Sequence, residues 1–255
     1  MPTNKALITF ADKTVATYGQ DLSRVMRSLE KLLIDLMADT RVEAGYNIQA
    51  IQNSFPAMRQ ALAQSGYDDL AAEFVGTFED VPGLVSKTYA ANDLPSPKYV
   101  AADAQVFTGL AQVDLDNFAA IGEKALEDLR LGLYRQAVAS EPFSNLVETI
   151  RAATVGVDGK GSAMANHAYT HANTAMLNFQ GETLRIAGES LGFDSDDSLW
   201  EVVGPDDEVT RDVCEAALAE PVRTKAEWIA AGYWGGTPGG WNCRHQLFPY
   251  FGEKP

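Results

Sequence analysis

Cysteine and histidine are scarce in this chain: two and three residues among 255. So few cysteines exclude a scaffold stapled by disulfides, and in a reducing compartment they stand as free thiols or ligands. Basic residues are also short, 20 against 35 acidic ones, for a net charge of −15 and a pI near 4.5. Coating nucleic acid through its phosphates needs clustered Lys and Arg, so no strong nucleic-acid binding is expected. No stretch approaches the roughly 20 uncharged apolar residues of a membrane span. The start, Met-Pro-Thr-Asn-Lys-Ala-Leu-Ile-Thr-Phe-Ala-Asp, has neither the apolar run nor the cleavage box of a secretory signal, so a chain made and kept in the cytoplasm is expected. Internal repeats and low-complexity tracts are absent too.

What is present is the composition of a globular protein, 46% apolar and 22% charged, in a chain long enough for one large domain or two modest ones. Apolar residues at Leu22, Val25, Met26, Leu29, Leu32, Leu33, Leu36 and Met37 follow helical, nearly heptad spacing, and predict one long helix over 21–42. A second amphipathic helix is expected from Ile48 to Leu62, with Pro56 a boundary and Ser65-Gly66 its end. Residues 67–91 read as a helix pair interrupted at Asp80-Val-Pro-Gly83, and 92–97 as a linker. Helical pattern resumes over 101–139, restarts at Ser140-Glu-Pro142, breaks at 156–161 and returns over 162–190.

The character changes after Gly192. Seven acidic residues lie between Asp194 and Glu208 with no basic one, and within them Leu199-Trp-Glu-Val-Val203 alternates like a strand. A helix is expected over 210–218, a loop over 233–240, and a last strand over 245–251 that Pro249 confines to an edge. The expected architecture is mainly α: a helical N-terminal body over 1–139, then a module over 140–255. That module comprises helices at 140–190 and a small α+β cap at 193–255.

Chemistry concentrates in two short blocks, Val203-Gly-Pro-Asp-Asp-Glu-Val-Thr-Arg-Asp-Val-Cys214 and Gly239-Gly-Trp-Asn-Cys-Arg-His-Gln-Leu-Phe-Pro249. Cys214, Cys243 and His245 can supply three corners of a zinc site, with Asp207 or a histidine of the upstream helix as the fourth. The alternatives are a packed pair of buried thiols, or a nucleophilic cysteine with His245 as its base. His167 and His171 share a helix face, but Ala168 stands where a zincin helix needs Glu, so a polar helix face is the simpler reading. Asp206, Asp207 and Arg211 read as an acidic turn closed by an ion pair, or by a carboxylate at the start of the next helix. The loop Gly235-Gly-Thr-Pro-Gly-Gly240 lacks the Gly-Lys-Ser/Thr ending of a phosphate loop. Its expected use is to bring Trp241 and Cys243 to the Cys214 helix, locking the module around Trp200 and Trp241.

The two blocks resemble the C-terminal domain of the phage head morphogenesis family, the Mu gene F-like minor head proteins. Asp207, Thr210, Arg211 and Cys214 match the first family block; Cys243, Arg244, His245 and Pro249 match the second. The resemblance covers about residues 140–255, and its sharp part 200–250. Two departures stand out: Leu218-Ala-Glu-Pro-Val occupies the place of the family's Leu-Asp-Gly turn, and Thr237-Pro-Gly-Gly-Trp-Asn that of its Pro-Pro-x-His-Pro approach.

The resemblance implies a non-enzymatic bacteriophage virion protein. It would be a minor capsid protein in the head interior or neck, made in the host cytoplasm and acting in head morphogenesis and DNA delivery. Its partners would be portal or capsid proteins, with self-association through Leu22, Leu29, Leu33 and Leu36 as a further possibility. Two other classes stay open: a head-to-tail connector adaptor assembling as a ring, and a phage-encoded toxin-like nuclease or transferase. The chain as given ends four residues after Phe251, so no appended toxin domain is expected.

Overall fold

The structure, a computed structural model, describes residues 4–43, 45–157, 160–208, 210–235 and 239–252. The architecture is mainly α with a small α+β C-terminal part, as the sequence pattern predicts. Helix α1 spans Lys5–Ala38, and a two-residue-arm hairpin follows, β1 at Arg41–Val42 and β2 at Gly45–Tyr46. Helices α2 (Ile48–Gln52), α3 (Phe55–Gln64) and α4 (Tyr67–Gly76) lead through a 3-10 turn at Thr77–Asp80 into α5 (Val81–Ala91). The long helix α6 (Ala101–Val138) precedes α7 (Phe143–Thr154) and α8 (Ala163–Glu189). Strand β3 (Leu199–Val203), α9 (Asp212–Ala219), β4 (Val222–Thr224), α10 (Lys225–Ala230) and β5 (Gln246–Pro249) complete it. No helix among the described residues is long and apolar enough to cross a membrane.

These elements form two compact units that interleave along the chain: residues 1–15, 76–112 and 172–255 in one, and 16–75 with 113–171 in the other. Helices α1, α6 and α8 each contribute residues to both.

Within 16–75 and 113–171 the logic is apolar periodicity. The buried positions of α1 there, Tyr18, Leu22, Met26, Leu29, Leu33 and Met37, recur every three or four residues, as one stripe of a helix must. Tyr18, Phe74 and Phe118 meet as a trio with centroids 5.0, 5.5 and 5.9 Å apart, and Tyr67 donates to the Phe118 carbonyl at 3.0 Å. Each fully buried Leu or Phe side chain stabilises by about 1.5–3 kcal/mol.

Two expectations change here. The helix begins at Lys5 rather than Asp21, because Leu7, Ala11 and Val15 extend the same stripe. It stops at Ala38 rather than Val42, where the Thr40 hydroxyl donates to the Met37 carbonyl at 2.7 Å. The stripe assigned to self-association is also already covered: Leu22, Leu29 and Leu33 are 2%, 0% and 0% exposed within this one chain. Only Leu36 is half-buried.

The other unit carries the three-stranded sheet, ordered β4-β3-β5, with both pairings antiparallel. Pro249 lies in an outer strand, opposite Trp200, as a residue with no N–H requires. Trp200, Val202 and Leu247 face one side, packed with Ala217, Trp228 and Tyr233. The Trp228 indole donates to the Trp200 carbonyl at 2.9 Å. Helix α10, which supplies Trp228, starts in a reciprocal box: Thr224 Oγ1 accepts from Glu227 N, and Glu227 Oε2 accepts from Thr224 N. Trp241, expected in this core beside Trp200, is instead 66% exposed; Trp228 fills that role.

Candidate metal centre

Cys214 sits in the first turn of α9, its N–H donating to the Arg211 carbonyl at 2.7 Å. The chain reaches that turn through a closed loop. Thr210 N donates to the Asp207 carbonyl at 2.8 Å, and Asp207 N donates to Thr210 Oγ1 at 2.9 Å. The helix therefore starts at Asp212, with Arg211 rather than Asp207 at its cap. The Asp207 carboxylate faces the second sequence block: Arg244 Nη2 donates to both its oxygens, at 2.6 and 2.7 Å. This corrects two expectations, Asp207 as a fourth metal ligand and Asp207 as the partner of Arg211.

The second block is held by α8. Asn242 adopts a left-handed backbone (φ 59°), which Asn tolerates better than most residues. Its side-chain oxygen accepts from Asn173 Nδ2 at 2.8 Å and from Thr174 Oγ1 at 3.2 Å. The next residue is Cys243, whose direction is thereby set. Sequence reasoning missed this clamp, since the Ala/Asn/Thr-rich stretch of α8 reads as generic helix.

The result brings together the three residues singled out from the sequence. All three are buried, with ligand atoms within 4.8 Å of one another. The sulfurs of Cys214 and Cys243 are 3.8 Å apart, and Cys243 Sγ is 3.7 Å from His245 Nδ1. Tetrahedral zinc with bonds of about 2.3 Å to sulfur and 2.0–2.1 Å to nitrogen puts two sulfurs about 3.8 Å apart and sulfur about 3.6 Å from nitrogen. The donor types and two of the three spacings, sulfur to sulfur and Cys243 to His245, therefore match a zinc site of three protein donors and one further ligand.

Two glycines make the space. A Cβ on Gly239 would stand 2.5 Å from one sulfur and 2.8 Å from the other, and one on Gly204 2.4 Å from His245 Cδ2. Gly239 also donates its N–H to Cys243 Sγ at 3.2 Å.

The two thiols are pushed in opposite directions. Burial, then the neighbouring Cys243 charge, raise Cys214 above the ordinary thiol value. Burial also works to raise Cys243. Hydrogen bonds from the His245 side chain and from the backbone N–H groups of His245 and Gly239 outweigh it and bring the thiol down to about 7. Cys243 is thus the more readily deprotonated of the two, and metal binding requires the thiolate.

The His245 Nε2 atom is buried without a hydrogen-bond partner. A nucleophilic pair needs a group there to orient the imidazole, and among the described residues none bonds to it. His167 and His171 do not join the cluster. His167 is exposed. His171 packs edge-on against Phe118, centroids 4.6 Å apart, with Nε2 3.4 Å from Asp114 Oδ1. Burial raises Asp114 to about 6 and lowers His171, and both are half-buried polar groups away from the cluster. Residues 236–238 of the glycine loop lie outside the described residues.

Comparison with models of known protein families, with curated proteins and with solved structures found no match to this chain.

Proposed function

We propose that this chain is a bacteriophage minor head protein of the Mu gene F-like type. It acts in head morphogenesis near the portal, has its place in the head interior or neck, and is made in the host cytoplasm. The observation that carries the reading is the meeting of the two sequence blocks. Cys214 with Cys243 and His245, and Asp207 with Arg244, are contacts between residues that match the family pattern in both blocks. The pattern thus corresponds to a physical unit rather than to two unrelated similarities. We further propose zinc as the ion held by Cys214, Cys243 and His245. Its chemistry there is structural, cross-linking α9 to the segment ahead of β5. The net charge of −15 supports a protein that lies beside packed DNA without adhering to it.

Portal or capsid proteins are the partners this reading assigns. Mass spectrometry of purified particles, before and after triggered DNA release, tests it. The expected result is a few copies per particle, depleted from emptied heads. A fixed ring-like multiple that stays behind makes the chain a connector component. Absence from particles overturns the head-protein reading.

A further inference from the structure

Cys214 and Cys243 are the two cysteines of the chain, and both are free thiols. They stand 29 residues apart in sequence, yet their sulfurs are 3.8 Å apart. A disulfide holds its sulfurs at about 2.05 Å, so the pair has to close by about 1.8 Å. Gly239 faces both sulfurs and presents no side chain against either. Cys214 lies in the first turn of α9 and Cys243 just ahead of β5. A bond between them would join the same two segments that a shared metal ion joins.

Metal and disulfide exclude each other there. Zinc takes its sulfur ligands as thiolates, and a disulfide has none to offer. Of the three clustered donors only the His245 imidazole would remain, and one nitrogen does not make a structural zinc site. The two states still share a consequence, since each ties α9 to the chain entering β5. Reducing surroundings keep the thiols available to metal, and oxidising surroundings favour the sulfur–sulfur bond. A virion protein made in a cytoplasm and carried outside the cell meets both.

We propose that Cys214 and Cys243 are a modification site, forming a reversible disulfide when the chain meets a hydroperoxide and resting on the zinc assignment only for what the bond displaces. Both thiols are buried, which suits an oxidant as small as hydrogen peroxide. One sulfur, here Cys243, attacks a peroxide oxygen. The O–O bond breaks, an S–O bond forms, and the departing hydroxide takes the thiol proton and leaves as water. Cys214 then attacks the Cys243 sulfur. The S–O bond breaks, the S–S bond forms, and the hydroxyl leaves with the Cys214 proton as a second water. Two thiols are oxidised by two electrons and one peroxide is reduced to two waters.

The test treats the full chain, reduced and stripped of metal, with one equivalent of hydrogen peroxide. Intact mass and thiol labelling in denaturant give the readout. The expected product is a single chain that has lost two hydrogens and both labelling sites, and dithiothreitol should restore both. Cys214→Ser should gain one oxygen at Cys243 instead, as a sulfenic acid trapped by dimedone. The oxidised chain should bind zinc more weakly by about a hundredfold or more, and reduction should bring the affinity back. Thiols that gain oxygen or link two chains, rather than pairing within one, overturn the disulfide. An oxidised chain that binds zinc as tightly as the reduced one overturns the exclusion. A chain that pairs its thiols but takes up no zinc when reduced overturns the metal assignment and leaves the disulfide supported.

Discussion

Buried polar side chains are treated differently in the two units. In residues 16–75 and 113–171 the buried serines and threonines satisfy themselves within one turn of their own chain. Thr40 donates to Met37, Ser54 to Ile51, Ser65 to Leu62 and Thr154 to Ile150, each across three or four residues. In the unit holding the sheet, buried Asn and Gln side chains reach across the sequence. Asn4 Nδ2 donates to the Val203 carbonyl and to Gln246 Oε1. Gln246 Nε2 donates to Gln180 Oε1, and Gln180 Nε2 to the Leu7 carbonyl. The first unit rests mainly on apolar side chains at the right period. The second needs particular partners at particular distances, and that is where the cysteine cluster is found.

Three sets of measurements would break or sharpen that contrast. The largest effect is expected from Leu29→Asp, which places an unpaired charge at a fully buried position. Stability should fall by about 4 kcal/mol or more, read by denaturant unfolding followed by circular dichroism. A variant that stays folded at the wild-type midpoint would mean that the apolar stripe is not what holds the helices.

Next is the cluster. The purified chain should bind about one zinc per molecule, and free zinc at about one hundred times its dissociation constant should add about 2.7 kcal/mol. Cys243→Ser should abolish uptake. Gly239→Ala keeps all three donors but crowds both sulfurs, and should weaken zinc by about tenfold or more. Identical unfolding midpoints with and without excess zinc would leave the cluster as packed thiols.

The smallest difference lies in the polar groups themselves. Gln246→Leu strands the partners of a buried network and should cost about 1–3 kcal/mol. Ser65→Ala, which removes a bond made within one helix, should cost well under that. Equal losses in paired unfolding curves would erase the distinction.

The contrast also explains what could be read from sequence. Strand 199–203, the outer position of Pro249, and the long helices α6 and α8 were legible because each is written in local pattern: alternation, a missing donor, a 3.6-residue stripe. The meeting of Cys214, Cys243 and His245 was legible only as a set of compatible ligand types. The Asn173–Asn242 clamp and the Asn4–Gln246–Gln180 ladder carry no periodic signature, since their partners lie 66 to 242 residues apart, and the Gly239 opening shows only once Cys214 and Cys243 have met. Trp228 had a local marker, the Thr224-x-x-Glu227 capping box just ahead of it. Trp241 neighbours Cys243 in sequence, which points to the core, yet it is exposed.

The bonds from Asn4 to Arg244 and Gln246 also set an order of events in time. A ribosome adding about 5–20 residues per second emits the two ends of that contact roughly 12 to 50 seconds apart. Throughout that interval the Asn4 amide has only water for a partner, while residues 16–75 and 113–171 are all present once residue 171 has been added. Nascent chains should therefore pass through a stage in which one unit is substantially formed and the other is open at both termini. A block or tag at Asn4 would be felt first at β5, at the far end of the sequence.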